Sequence, residues 1–409
     1  MLASNTSKKI SSNRDYVHLV FNPFFSYVIL MLFGIASTTY IFGNAAVMWA
    51  LNFAGLCVLF YKSFFHPRLN VFVLSFFYLF LAVITIWVNA DTAEYSFKGV
   101  GININTVAVP LFWLLLSYES RIKRWNEDFL ELWLKFISFL GLATLLYALF
   151  SNAHDIVRIL RGSSAYIIKN YAFFYNKNAY GIFIALSFIA DLYLYLKTNS
   201  KKHIVLLIIK FIGVLFSFCR AALMLIVLVF GINSMLNAKK RHLMLFSMLF
   251  VLIVLAVAFA SFNTDVLNFI ATKVLRLDLG SAGRISIFTN ALIRFGESVT
   301  YYIFGVGYFT IVSLNMDIDN AYLYLLFSGG ILKILVYLCA YFFSLKHILR
   351  LRKKNILVGN LCLSIAIAYL PFAFVESVVF FELGLANFLF CVWLFIIPLS
   401  YCYNYCEHG

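Results

Sequence analysis

Long apolar runs alternate with short polar breaks along almost the whole chain. Runs near 24–42, 44–61, 70–88, 100–118, 129–150, 178–196, 204–218, 221–236, 243–262, 321–345, 356–380 and 384–403 reach or approach the length a helix needs to cross hydrocarbon. The pattern predicts an all-α integral membrane protein with about twelve membrane-spanning helices. The pairs at 24–61 and 204–236 have almost no linker, which predicts two tight helical hairpins. Between 263 and 320 no run is long enough to span, which predicts one large loop inside a single polytopic domain covering 1–409.

Composition supports this reading. Hydrophobic residues make up 63% of the chain, charged residues 12%, and the mean hydropathy is +0.92. A soluble domain is about half apolar and about a quarter charged, so most of this chain cannot face water. The net charge of +15 lies in short clusters between apolar runs rather than on one basic surface, which excludes nucleic acid as a partner. The first apolar run follows Lys8, Lys9 and Arg14 and lacks an Ala-x-Ala cleavage signal, so it reads as a retained first helix.

The lysines and arginines also predict orientation. With the N-terminus in the cytoplasm, the inward segments hold nineteen of the 32, the outward segments ten, and Lys135, Lys210 and Lys333 lie within spans. Both termini are therefore expected in the cytoplasm of a bacterium, with the chain in its inner membrane and the 263–320 loop on the periplasmic side. Most of the seven cysteines fall inside apolar runs, which argues against structural disulfides. Cys402, Cys406 and His408 lack a fourth ligand, and no His/Asp/Glu cluster has ligand spacing, so metal-independent chemistry without a cofactor is expected.

The outward cations run against the charge rule and need a reason. Arg158, Arg161, Lys169 and Lys177 occupy the loop at about 151–177, and Lys273, Arg276, Arg284 and Arg294 the largest loop. Long loops cross regardless of charge, but Arg220, at the tip of the 204–236 hairpin, has no long loop around it. An arginine at that depth either snorkels to lipid headgroups or meets an anion. Arg284 follows Gly280-Ser281-Ala282-Gly283 and opens a run with Ile285, Phe288, Leu292 and Phe295 on one face. That spacing predicts an amphipathic surface helix whose first turn could hold a phosphate, or simply carry a solvated arginine.

Six further features complete the chemistry. Phe304-Gly305-Val306-Gly307-Tyr308 resembles part of a glycine-rich phosphate loop, but a bare Gly-x-Gly reads rather as a turn that lets the loop lie flat on the membrane. Asp319 and Asn320 precede the span at Ala321, as a helix cap or as a general base above the membrane plane. Asn176-Lys177-Asn178-Ala179-Tyr180-Gly181 opens another span, capping it or binding a polar headgroup. Of the histidines only His154 is clearly outward. Glu131, Lys135, Asp191 and Lys333 can mostly snorkel from span ends, whereas Lys210 is deeper and should pair with a buried acid. Glu376 and Glu382 sit at the outward turn between the last two spans, where a cation partner is expected.

The order of these motifs resembles the Wzy/WaaL superfamily of surface-polysaccharide polymerases and ligases. Asn176-Lys-Asn-Ala-Tyr-Gly is similar to its Asn-Pro-Asn-x-x-Gly helix opening, and Ser217-Phe-Cys-Arg220-Ala-Ala-Leu to its Ser-Arg-x-Ala-Leu hairpin. Gly283-Arg284-Ile-Ser-Ile-Phe resembles its Gly-Arg-x-x-Ile-Trp loop start, with Gly305-Val-Gly-Tyr-Phe and Asp319-Asn-Ala-Tyr-Leu closing the loop. The resemblance covers about 170–335. It implies a GT-C-like membrane glycosyltransferase with a large, partly helical periplasmic loop. Such an enzyme moves a growing glycan from undecaprenyl pyrophosphate to an acceptor at the outer face of the inner membrane. Arg220 and Arg284 would hold the pyrophosphate, with Arg294, Arg158, Arg161, Asn176, Asn178 and Asn320 as further substrate contacts and Asp319 as base. Lipid-linked repeat units and membrane lipids are the implied partners, together with a chain-length regulator and a flippase.

Two departures stand out. Lys177 replaces the proline of the first motif, and Asp319-Asn320 stands where ligases of the family carry His-Asn. The second favours a polymerase, whose acceptor is the next lipid-linked repeat, over a ligase acting on lipid A-core. A flippase for the same lipid-linked unit is the alternative from another class. It would carry cations deep inside the bundle rather than at its outer rim. Cysteine labelling from either side of the membrane should find Lys123→Cys, Lys201→Cys and Arg352→Cys inside, and Lys169→Cys and Asp278→Cys outside. A cytoplasmic 263–320 loop would overturn this topology.

Overall fold

The computed structural model describes residues 127–154, 157, 171–172, 174, 177–217, 219–237, 293, 299–305, 320–379 and 385–399. The spans expected at 24–42, 44–61, 70–88, 100–118 and 243–262 lie outside these residues, as does most of the 263–320 loop. Helices account for 89% of what is described. In chain order they are α1 (Glu127–Ser151), α2 (Lys177–Thr198), α3 (Lys201–Ser217), α4 (Arg220–Leu236), α5 (Val299–Phe304), α6 (Ala321–Lys354), α7 (Ile356–Phe372) and α8 (Leu385–Cys391). A π-helical turn, Val392–Ile396, continues α8. Three stretches, Leu130–Ser151, Lys177–Thr198 and Ala321–Lys354, are long and apolar enough to cross a membrane.

α2 is the centre of the bundle. It is apolar all round, and 94% of its most hydrophobic stretch is buried, as such a helix requires. α1, α3 and α4 pack around it, and α7 packs along α4 and α6. The order of the ends follows from specific ties. Glu131 near the start of α1 pairs with Lys197 near the end of α2 at 3.0 Å, so these two helices are antiparallel. Asn360, at the start of the second turn of α7, donates to Asn237 Oδ1 at 2.9 Å and to Leu236 O at 3.3 Å, at the end of α4. Arg352 Nε donates to Asn360 Oδ1 at 2.8 Å, which brings the end of α6 to the same place. Asn355 alone separates α6 from α7, and its side chain caps α7 by accepting from Val358 N at 3.2 Å.

One end of the bundle therefore gathers the starts of α1, α3 and α7 and the finishes of α2, α4 and α6. The opposite end, called the rim below, gathers the starts of α2, α4 and α6 and the finishes of α1, α3 and α7. Charge divides the same way among the described residues. The first end carries Lys197, Lys201, Lys202 and the Lys346–Lys354 stretch, whereas the rim carries Lys177 and Arg220.

Two helices differ in length from their apolar runs. α6 continues to Lys354 because its polar last turns need no hydrocarbon, which is all that an apolar run reports. α7 stops at Phe372 rather than near 380, because the carbonyls of Ala373 and Phe374 are engaged by α6. α6 is also broken at Gly330, whose φ of 69° and ψ of −167° are not helical. Gly305, with φ of 77°, packs into that break, 2.6 Å from Gly329 N by the position a Cβ would occupy. The glycine expected in a turn lying flat on the surface instead ends α5 against α6, about two turns along from Ala321. Lys333, just past the break, reaches back to donate to Ser328 Oγ at 2.8 Å, over the face of Tyr324.

The core holds one charged cluster. Asp191 on α2 and Lys210 on α3 are both fully buried and form a direct ion pair. Asp191 also accepts from Ser138 Oγ of α1 at 2.7 Å and from His203 Nδ1 of α3 at 3.0 Å. Lys210 donates further to Ser138 O at 3.0 Å. The acid expected for Lys210 is thus Asp191, which does not snorkel. The pair links three helices, and breaking it strands a charge in an apolar interior. Asp191→Asn and Lys210→Met should each cost about 3–5 kcal/mol. The double replacement Asp191→Leu/Lys210→Met should recover most of that, read from denaturant unfolding in detergent. Single variants as stable as the parent would show that the pair is not buried in this way.

Candidate functional site

At the rim, segments distant in sequence converge. α3 and α4 join through Phe218 and Cys219, and the turn is tight because Ser217 Oγ accepts from Cys219 N at 3.2 Å while donating to Val214 O at 2.6 Å. α2 presses on this turn through Gly181. A Cβ there would lie 2.6 Å from Cys219 Cβ and 2.7 Å from Ser217 Oγ, so only glycine allows the approach. Cys219 Sγ in turn lies 3.9 Å from Asn178 O. The hairpin tip and the opening of α2 therefore form one unit, and its tip residue is Arg220.

Arg220 is exposed and is the first residue of α4. A cation there adds to the positive end of the helix dipole instead of offsetting it, so this corner attracts anions. Lys177, at the first turn of α2, is half-buried at the same end of the bundle. Burial pushes the Cys219 thiol up to about 12, and the Glu376 carboxylate adds to the rise while Lys177 opposes it. Both charges are therefore felt at the turn that carries Arg220.

α6 and α7 close the other side of the rim. Asn320 is buried and caps α6 by accepting from Leu323 N at 3.0 Å. Its amide donates to Phe374 O at 3.1 Å, and Ala321 N donates to Ala373 O at 2.8 Å. The turn after α7 is fixed from below as well, since Tyr369 OH donates to Val378 O at 2.7 Å and Tyr337 OH contacts Tyr369 OH. Glu376 sits between these two anchors and is 7% exposed.

Of the residues nominated from sequence, Asn178, Arg220 and Asn320 are brought to this rim. Arg158, Arg161, Asn176, Arg284, Arg294 and Asp319 lie outside the described residues, as does Glu382. His154, exposed, follows the end of α1 on the same side. Glu376 and Lys177 were not nominated as site residues, although the turn that holds Glu376 did signal a carboxylate at the outward end. Among the described residues no group of three His, Cys, Asp or Glu side chains is arranged to hold a metal ion. Among the described residues the rim combines one exposed and one half-buried cation, amide side chains and one nearly buried carboxylate. Such a set can bind a phosphorylated headgroup and accept a proton beside it. Compared with known proteins, the chain matches no family model, no curated protein and no solved structure.

Proposed function

We propose that this chain is a membrane glycosyltransferase of the O-antigen polymerase type. It transfers a growing glycan from undecaprenyl pyrophosphate to the next lipid-linked repeat unit. The reading includes about twelve spans in a GT-C-like arrangement, cytoplasmic termini and a periplasmic rim in the bacterial inner membrane. The observation that carries it is that the helix starts bearing Asn178, Arg220 and Asn320 all lie at one end of the bundle. Each belongs to a different one of the motifs that resemble the Wzy/WaaL superfamily, and nothing in their spacing along the chain requires them to share that end.

The chemistry suits a site built from arginines. A pyrophosphate is already a good leaving group, so the enzyme gains most by stabilising the charge it develops. A guanidinium does this as a planar pair of donors, without metal. Arg220 supplies one such fork, and Arg284 is proposed to supply the second from the large loop. The lipid tail lies along the membrane-level side of the bundle while its headgroup reaches the rim. A chain-length regulator and a flippase are the proposed partners.

Removing one transition-state donor typically costs about 10²–10³ in rate. Arg220→Ala and Arg284→Ala should therefore leave surface lipid capped with single repeat units on a lipopolysaccharide gel, because an independent ligase still acts. Arg220→Lys should be nearly as defective, since an ammonium lacks the fork. Normal long-chain ladders would eliminate the arginine mechanism. Bare core would point to a ligase, and repeat units trapped on the cytoplasmic face to a flippase.

A further inference from the structure

Transfer of a glycan to a sugar hydroxyl requires a group that takes the hydroxyl proton. The sequence nominates Asp319 for this task. The packing offers another carboxylate. The other acids among the described residues, Glu127, Asp128, Glu131 and Asp191, belong to the half opposite the rim. Asp191 lies fourteen residues along α2 from Lys177, about 21 Å down its axis, and is committed to Lys210 and His203. Glu376 alone among them stands at the end where Arg220 stands.

The helices dictate this placement. α4 and α7 are each 17 residues long, are antiparallel, and are tied at their far ends through Asn360 and Asn237. From that tie α4 runs to Arg220 and α7 to Phe372 at the same end of the bundle, with Phe372 about 7 Å short of the level of Arg220 and the turn that carries Glu376 continuing beyond it. Asn320 and Tyr369 hold that turn on both flanks, which fixes the backbone that presents Glu376. The residue is buried, with 7% of its surface exposed, so it is neither a loose surface acid nor a lipid-facing one. Its charge reaches the Cys219 turn, in agreement with the packing.

We propose that Glu376 is the proton acceptor for the acceptor-sugar hydroxyl, an assignment that rests on the polymerase reading above. A Glu376 oxygen takes the proton as the hydroxyl oxygen bonds to the anomeric carbon of the donor glycan. The bond from that carbon to the pyrophosphate oxygen breaks, and its electron pair leaves with undecaprenyl pyrophosphate beside Arg220. The carboxylic acid then returns its proton to water, so atoms and charge balance without a further reactant.

The test uses full-length protein in nanodiscs with undecaprenyl-pyrophosphate-linked repeat units extracted from cells in which its gene is deleted. Initial rates of polymer formation are followed across pH for the wild type, Glu376→Gln, Glu376→Asp and Asp319→Asn, with donor-lipid binding measured separately. Glu376→Gln should lower kcat by about 10²–10⁴, leave donor binding unchanged, and abolish the fall in rate towards acid pH. Glu376→Asp should keep that acid limb at a reduced rate, which separates lost chemistry from lost folding. The assignment is overturned if Glu376→Gln turns over like the wild type, or if its loss lies only in KM and donor binding. It is equally overturned if Asp319→Asn removes the acid limb and Glu376→Gln keeps it. Wild-type protein that makes no polymer would sink the polymerase reading and this proposal together, whereas an active wild type with an unaffected Glu376→Gln sinks this proposal alone.

Discussion

A bundle in hydrocarbon must answer every buried polar group from within itself, and Asp191 with Lys210 is where that demand is strongest here. The ion pair, Ser138 and His203 tie α1, α2 and α3 at one depth. Once those helices are fixed, the height of the α3–α4 turn is fixed too, because α3 runs directly from Lys210 to Ser217. Gly181 on α2 then meets that turn at contact distance. The position of Arg220 at the rim is thus a consequence of a charge pair nearly three turns below it. Polar ties repeat the principle elsewhere. Asn360 closes the far end of α4 and α7, and Asn320 closes the near end of α6 and α7.

The same economy accounts for the break in α6. An unbroken helix would leave no room for the end of α5 at Gly305. With Gly330 in a non-helical conformation, two glycine backbones approach where any side chain would collide. The large loop is therefore joined to the bundle within α6 itself, not only at its beginning. Lys333 sits just beyond the break and turns back towards Ser328, so its charge lies nearer the rim than its position in the chain suggests.

Much of this was legible in the sequence because hydrocarbon imposes a simple rule. The runs at 129–150, 178–196, 204–218 and 221–236 appear as α1 to α4 within a few residues, since apolar length is what membrane burial selects. A lone lysine deep in a run had to find an acid, and Lys210 did. The tight hairpin followed from the missing linker. What was not legible depends on contacts between distant segments. The run at 321–345 reads as one helix, and nothing local says that Gly305 will dock at Gly330. His203 reads as a residue beside a basic loop, and only the antiparallel packing of α2 and α3 brings it to Asp191. The run at 356–380 hides the end of α7, because the competing partners of Ala373 and Phe374 lie fifty residues away. For the same reason Glu376 reads as an ordinary turn acid until Asn320 is seen to fasten the turn that carries it.

The central claim is that segments far apart in the chain share one rim, with the hairpin tip beside the turn after α7. Pulsed electron–electron resonance between spin labels tests this directly. Arg220→Cys paired with Phe374→Cys, an exposed rim position, should give a short distance. Arg220→Cys paired with Lys354→Cys at the other end of α6 should give one longer by at least about 20 Å, close to the length of a 17-residue helix. Comparable distances for the two pairs, or the reverse order, would contradict the account.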